Sequence, residues 1–461
     1  MFENYYNNLL YMQSFTQIQS CSLSIPKLKT EKIPCKLQFT EEGFFLKFSF
    51  PKYISQFNYE EVINVYINNA VFKFYNNVIK KYPDFITTFE YLITCNNMIE
   101  GKWKNKGFYR SFIPTGKISL YKANRLFENF EQTQEFTFKY ENLIFNAVYY
   151  FSYGKNNDCF IFESERMISY ETYKRALYSF LITYGFFTGY LFQKNIFTLS
   201  SSSNQFKNNR LLFYPGTQNI IWYSNPLEYV PETYNPLTKT KNSSFTNSVI
   251  SRENFNNMFS RCFKSDEFYN GIYLFLESAN YSLDTRILSL YSFLEIIAKI
   301  IVNEQPKEDD VDKKVKVFDK RQRKTINKLL LSYGFEQKKV DKMITKMQDV
   351  FSVSASKRFY NAFNIYGIDL NEVESKLLND RNNFFHGDAR FSSHTIFLKK
   401  IFSLGFFDFY VPVCIVCQIS MILVLKLIGY NGYMKNTYFE LKDFFNHMKH
   451  KKIDFSKYIK I

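Results

Sequence analysis

Histidine is almost missing from this chain. Four occur among 461 residues, and none precedes residue 386. Imidazole chemistry is therefore confined to the C-terminal end, and the first half shows no catalytic constellation. Glycine-rich phosphate loops are missing too. Neither GxxxxGK[ST] nor GxGxxG occurs, which argues against P-loop and dinucleotide-fold enzymes. The opening segment, MFENYYNNLLYMQSF, has no basic stretch followed by an apolar one, so no signal peptide is expected and a cytoplasmic protein is. Seven cysteines stand at 21, 35, 95, 159, 262, 414 and 417. An odd number without a regular framework fits a reducing compartment and excludes a disulfide scaffold. Cys414 and Cys417 form the only close pair. They lie in an apolar stretch with no second Cys or His pair at zinc spacing, so they read as buried structural thiols. His447 and His450 have the i,i+3 spacing of two ligands on a helix, but no third ligand is near. No metal and no cofactor is expected. No repeat of 20–50 residues is visible.

Basic and aromatic residues are abundant. The formal net charge is +16, and aromatic residues make up 20% of the chain. Such a balance suits a polyanionic partner such as RNA, DNA or an anionic membrane face. The same composition, rich in Lys, Asn, Ile, Phe and Tyr, is also what an AT-rich coding sequence tends to produce. Residues 409–425 are apolar enough to raise the question of a membrane span, but they sit at the short edge of the required length. Asp408, Pro412, Gln418 and Lys426 favour a buried helix instead, and no membrane partner is expected.

The length suggests two or three domains, and the pattern predicts an α+β protein. A strand-rich mixed domain is expected over 1–240, a helical bundle over 250–430 and a basic helical tail over 431–461. In the first, Cys35, Leu37 and Phe39 alternate with polar residues. Glu42-Gly43 supplies a turn, and Phe44, Leu46, Phe48 and Phe50 share one face of a return strand. Phe136, Phe138 and Tyr140 repeat the alternation, with 144–152 as a next strand; 211–214 and 220–223 read as further strands. A helix is expected over 171–192, capped by Ser169. Proline and polar residues over 224–250 mark a linker. Helices are then expected at 267–280, 283–302, 321–333, 336–351, 371–386 and across 393–428. The stretch 303–324 is charged. Its basic end, Lys320, Arg321, Arg323 and Lys324, is either a solvated face or a set of RNA phosphate contacts.

The most informative segment is Arg381-Asn382-Asn383-Phe384-Phe385-His386, closed by Gly387. Asn371 is placed to cap its helix, with Glu374 completing a capping box. Val373, Leu377, Leu378 and Phe384 mark a buried face, and Gly387 is a natural helix stop. On a straight helix, residues five apart point about 140° away from each other, about 7.5 Å along the axis. Arg381 and His386 converge only if the helix ends near His386. A guanidinium clamps a phosphate, and an imidazole titrating near pH 6.5 moves protons at neutral pH. Asn382 shares the face of His386 and is suited to orient the ring or bind a ribose hydroxyl. Arg381 sits on the inward side of its helix and needs an anionic partner. Glu295, embedded in the apolar SLYSFLEIIAKII, has two possible partners: Lys299 at i,i+4 on its own helix, or Arg381 on another.

This pattern resembles the Arg-x4-His motif of HEPN domains, helical bundles found in RNA-cleaving and nucleotide-binding proteins. Glu295-x-x-x-Lys299 resembles an acidic motif on an earlier helix of some members. The arrangement over 265–430, behind a mixed N-terminal domain, resembles ApeA-like HEPN proteins of anti-phage defence. The resemblance implies catalytic roles for Arg381, His386 and Asn382, a supporting role for Glu295, and independence of metal ions. It also implies a composite site across a two-fold interface. One copy of the motif is present, since Arg390-Phe-Ser-Ser-His394 is one residue short, so a homodimer is expected. The implied reaction is attack of a 2′-OH on the adjacent phosphorus, leaving a 2′,3′-cyclic phosphate and a 5′-OH end. The expected role is an endoribonuclease halting an infected host, with the N-terminal domain as the sensor or as the inhibitor that holds the RNase off, and with a phage-derived trigger. Transfer, messenger and ribosomal RNA are equally open as substrates. The alternative is a non-catalytic HEPN-type module that binds RNA, a nucleotide or a partner protein.

Overall fold

The structure is a computed structural model. It describes residues 5, 7–11, 19–26, 32–40, 43–50, 62–67, 70–75, 78–83, 89–95, 97–100, 106–114, 134–150, 159–191, 196–207, 209–214, 220–221, 250–305, 320–351, 355–379, 381, 410–441 and 458–461. Two compact units are present, Met1–Asn280 with Gly432–Lys435, and Tyr281–Asn431 with Asn436–Ile461. The expected α+β class is seen, with strands dominating the first unit and helices the second.

The strands of the first unit are β1 (Gln19–Ser24), β2 (Ile33–Thr40), β3 (Gly43–Phe50), β4 (Ile63–Ile67), β5 (Ala70–Tyr75), β6 (Val78–Pro83), β7 (Phe89–Cys95), β8 (Asn97–Glu100), β9 (Lys106–Pro114), β10 (Gln134–Tyr140), β11 (Leu143–Tyr150), β12 (Cys159–Ser164), β13 (Ile168–Ser169), β14 (Tyr190–Leu191), β15 (Ile196–Ser201), β16 (Arg210–Tyr214) and β17 (Ile220–Ile221). The main sheet runs β10-β11-β12-β9-β15-β16-β8-β5-β4-β1-β2-β3-β7-β6, with β13 beside β9. Residues up to Glu100 and residues from Lys106 form two separate runs of it. A seam of two residue pairs joins them, Leu212↔Ile99 and Phe213↔Met98.

The expected hairpin is present as β2 and β3, with Cys35 opposite Phe48, Leu37 opposite Leu46 and Phe39 opposite Phe44. Cys35, Leu37, Phe44, Leu46 and Phe48 are buried, as period-2 alternation requires. The Glu42 side of its turn lies outside the described residues. β10 and β11 form the second expected hairpin. β12, apart from half-buried Glu163, and the whole of β15 are buried on both faces, and such strands show no alternation.

Helix α1 (Tyr170–Thr188) begins at Ser169, whose side chain accepts from Thr172 N. It ends four residues before the expected limit because Gly189 turns left-handed at φ 75°, a conformation glycine adopts without a steric penalty. Helices α2 (Arg252–Lys264) and α3 (Asp266–Glu277) pack on α1. Ser265 ends one and caps the other, its N–H donating to Arg261 O and its hydroxyl accepting from Phe268 N. Arg175 of α1 holds this corner through Asp266 at 2.8 Å and the Cys262 carbonyl at 2.6 Å. Phe138 of β10 lies 4.7 Å from the Phe259 ring. These contacts correct the expected division: the helices over 252–277 belong to the sheet unit, and the boundary follows Asn280. The expected linker over 224–250 lies outside the described residues, except for Ile250.

The second unit holds α4 (Leu283–Glu304), α5 (Lys320–Ser332), α6 (Gln337–Phe351), α7 (Ala355–Ile365), α8 (Glu372–Asn379), α9 (Tyr410–Leu427) and α10 (Thr437–Glu440). Ile287, Leu290, Leu294, Ile297 and Ile301 of α4 are buried in one stripe, and α4 packs against α7 and α9. Helices α2 and α7 were not expected from the sequence. Helix α9 is long and apolar enough to cross a membrane, but 83% of it is buried within the protein. Pro412 occupies its first turn, where no intrahelical N–H bond is lost. Gln418 Oε1 accepts from Thr437 N at 2.5 Å. Cys417 is buried and Cys414 half-buried on the same helix. In the tail, expected to be helical, the described residues give two three-residue strands, Tyr433–Lys435 and Tyr458–Lys460, besides the one-turn α10. His447 and His450 lie outside the described residues.

Candidate functional site

Helix α8 starts as its sequence requires. Asn371 Oδ1 accepts from Val373 N at 2.9 Å and Glu374 N at 3.0 Å. Glu374 Oε2 returns to accept from Asn371 N at 2.8 Å, completing a reciprocal capping box. Tyr438 adds a layer that the sequence did not announce. Its hydroxyl accepts from Asn371 Nδ2 at 3.1 Å and points its proton at Glu374 Oε1 at 3.4 Å. Glu374 is buried, and that burial raises its carboxyl pKa, partly offset by the Asn371 N–H bond. Burial also holds the Tyr438 phenol well above its ordinary range, with the Glu374 charge adding to the shift. Val373, Leu377 and Leu378 are buried, so the capped helix has a fixed rotation about its axis.

Two contacts tie α8 and its continuation to α4. Tyr291 is fully buried, and its hydroxyl donates to Leu377 O at 2.7 Å. One turn further along both helices, Arg381 Nη2 meets Glu295 Oε2 at 2.5 Å. The partners advance by four residues on each helix, from 291 to 295 and from 377 to 381, so the rungs are about 6 Å apart along each axis. The alternative in which Glu295 crosses to Arg381 is therefore the one formed. Arg381 is helical and 16% exposed, while Glu295 is 31% exposed. The pair is partly shielded, which strengthens its attraction relative to a surface pair, yet solvent reaches both members. The sequence signal for Tyr291 was its place four residues before Glu295 on the same apolar helix.

The other motif residues, Asn382 and His386, lie outside the described residues, as do Phe384, Gly387 and His394. The basic set falls on α5, beginning with Lys320, Arg321 and Arg323; Lys324 is exposed. Helices α5 and α6 form a hairpin around Gly334, which adopts φ +83°. Gly334 N donates to Leu331 O at 3.0 Å and Phe335 N to Leu330 O at 3.3 Å, the paired bonds of a Schellman stop. This turn presents Tyr333 at 75% exposure beside Phe335 at 40%. Lys324, Lys328, Lys338, Lys339 and Lys342 are exposed on the two arms. Among the described residues no group of three or more His, Cys, Asp or Glu side chains forms a metal-binding set.

No protein-family model, no curated protein and no solved structure matches this chain.

Proposed function

We propose that the second unit is a metal-independent endoribonuclease of the HEPN kind. The observation that supports it most is the Glu295–Arg381 ion pair at 2.5 Å. A guanidinium carries five N–H donors in a rigid fork. A carboxylate behind it fixes the fork, and its remaining exposure lets a phosphate approach. His386, five residues on, supplies the proton transfer. In a homodimer one His386 takes the 2′-OH proton and the second protonates the leaving 5′-oxygen. The two Arg381 side chains stabilise the charge on the phosphorane, and Asn382 orients the imidazole or a ribose hydroxyl. The products are a 2′,3′-cyclic phosphate and a 5′-OH end.

RNA reaches this site with help from the α5–α6 hairpin. Its exposed lysines meet phosphates, with Lys320, Arg321, Arg323 and Lys324 at the start of α5, and Tyr333 offers a face on which a base stacks. Unpaired loops are the favoured substrate, because their bases and 2′-hydroxyls are accessible. The cellular role is anti-phage defence in the cytoplasm, with the sheet unit responding to a phage-derived trigger.

The test is cleavage of total RNA in EDTA by the parent protein and by His386→Ala, with analysis of fragment ends. Cleavage by the parent alone, leaving cyclic phosphates, is the expected result. Equal cleavage by both, or fragments ending in 3′-OH, would overturn the proposal. RNA binding without cleavage, including in extracts of phage-infected cells, would mark a non-catalytic binding module instead.

A further inference from the structure

Strands β1 and β2 pair antiparallel in a register that sets Cys21 directly opposite Cys35. Opposed residues have their Cα atoms about 4.5–5.5 Å apart and their side chains on one face. That separation lies within the roughly 4.4–6.8 Å that disulfides span. The two Sγ atoms are 3.0 Å apart, so closure to a bond of about 2.0 Å needs a movement of about 1 Å. Both cysteines are reduced. They differ in access: Cys35 is buried at 6% exposure, while Cys21 is half-buried. The Cys35 side chain hydrogen-bonds to Cys21 and lowers the Cys21 thiol pKa, against a smaller opposing effect of burial. The reachable sulfur is thus also the one favoured as thiolate, the nucleophilic form. Cys262 is the contrast, fully buried with its thiol pushed up to about 12 by burial.

We propose that Cys21 and Cys35 are a reversible oxidation site, closing to a cross-strand disulfide when they meet hydrogen peroxide. The Cys21 thiolate attacks one peroxide oxygen, the O–O bond breaks, and hydroxide leaves to take up a proton as water. Cys21 is now a sulfenic acid. The Cys35 sulfur attacks the Cys21 sulfur, the S–S bond forms and the S–O bond breaks. The departing hydroxide takes the Cys35 proton as a second water. The dithiol has lost two electrons and two protons, and the peroxide oxygens have gained them. A thiol reductant reverses the reaction by exchange. The bond joins two strands in the middle of the β4-β1-β2-β3 run and fixes their register. This inference is independent of the nuclease reading, because it concerns only the sheet unit.

The test uses the full-length reduced protein, treated with hydrogen peroxide and then alkylated under denaturing conditions. Lys27, Lys29 and Lys32 lie between the two cysteines, so trypsin separates their peptides. The expected product is a linked Cys21–Cys35 peptide two hydrogens lighter than the reduced pair, and abolished by dithiothreitol. In Cys35→Ser, Cys21 should persist as a sulfenic acid and react with dimedone. In Cys21→Ser, Cys35 should not. Half-buried Cys414 is the internal reference. Full alkylation of Cys21 and Cys35 at a peroxide dose that oxidises Cys414 would overturn the proposal. So would a disulfide from Cys21 to any other cysteine.

Discussion

Each unit holds a guanidinium against a carboxylate, and the two are held differently. Arg110 of the sheet unit is 4% exposed. Its Nε and Nη2 both reach Glu163 Oε2, at 2.8 and 2.7 Å, and Nη1 donates to Asn8 Oδ1 at 3.0 Å. The rings of Tyr5 and Phe206 lie 4.5 and 4.0 Å from its Cζ, and the Tyr5 hydroxyl donates to Glu163 Oε1 at 2.9 Å. Every direction of approach is filled by protein. Arg381 of the helical unit is oriented by Glu295 but keeps 16% exposure. A cation enclosed on all sides serves the fold. One that is oriented and still 16% exposed is compatible with the phosphate contact proposed for it. A count of ion pairs would have scored the two alike.

The sharpest way to break this comparison is to remove each cation. Arg110→Ala strands the Glu163 carboxylate, which is only 12% exposed, and about 3–5 kcal/mol of stability should be lost in denaturant unfolding. The double variant Arg110→Met, Glu163→Leu should recover most of that loss, because an apolar pair avoids the desolvation of two charges. A double variant as unstable as the single would show that the ring packing around Arg110, rather than its charge, holds the site. Arg381→Ala should change stability by no more than about 1 kcal/mol, since the pair is partly exposed. The same change should lower RNA cleavage by a factor of about 100 or more. A large loss of stability with Arg381→Ala would place it beside Arg110 as a structural cation.

Glu295 tests the same contrast more finely. On the proposed mechanism it is a positioning residue, acting through Arg381. Glu295→Gln keeps a hydrogen-bond acceptor but removes the charge, and cleavage should fall by about tenfold. The pH profile should keep the limbs set by His386, and unfolding should move by less than about 1 kcal/mol. An altered pH profile would mean that Glu295 itself exchanges protons with the substrate.

The two units also differed in how much their sequences announced. The β2–β3 hairpin was legible because one face is buried and the other is not, so hydrophobicity alternates. β12 and β15 were not, because burial on both faces erases the alternation. α1 and α8 were legible from Ser169 and from the Asn371–Glu374 pair, whose side chains have one local use. Helix α2 was not expected, and the placement of α3 was hidden, because amphipathic helices do not declare which surface they cover; Phe138 and Arg175 settle where both lie through contacts far apart in sequence. At the candidate site, Glu295 was legible as an acid on an apolar helix needing a partner, with two partners open. Choosing Arg381 required the helix register that the Tyr291–Leu377 bond reveals. The Cys21–Cys35 approach was invisible, because fourteen positions of sequence separation say nothing about strand register.

The caps allow a smaller comparison. Ser169→Ala in the sheet unit and Asn371→Ala in the helical unit each remove a side-chain acceptor from a helix start, at a cost of about 1 kcal/mol. Asn371→Ala should cost more of the two, because it also releases the Asn371 Nδ2 bond to Tyr438. Equal losses in paired unfolding curves would mean that the Tyr438 layer adds nothing.

The smallest effect expected comes from Glu374, and its sign is informative. Burial raises the Glu374 pKa in the folded protein, so the folded state binds this proton more tightly than the unfolded chain does. Its contribution to stability is fully present below the unfolded carboxyl value, about 4.3, and is lost as pH rises through the raised folded value. The Tyr438 phenol, held well above its ordinary range, stays protonated throughout. Glu374→Gln retains an acceptor for Asn371 N and cannot ionise. Relative to the parent, the variant should gain stability from pH 4 to pH 7, by less than about 1 kcal/mol, because the parent alone loses this contribution. Unfolding of both proteins across that range measures the difference directly. A variant that instead loses ground as pH rises would mean that the charged carboxylate strengthens the capping box by more than its burial opposes it. The helix dipole favours a negative charge at this end of α8, and the measured sign decides which of the two effects is larger.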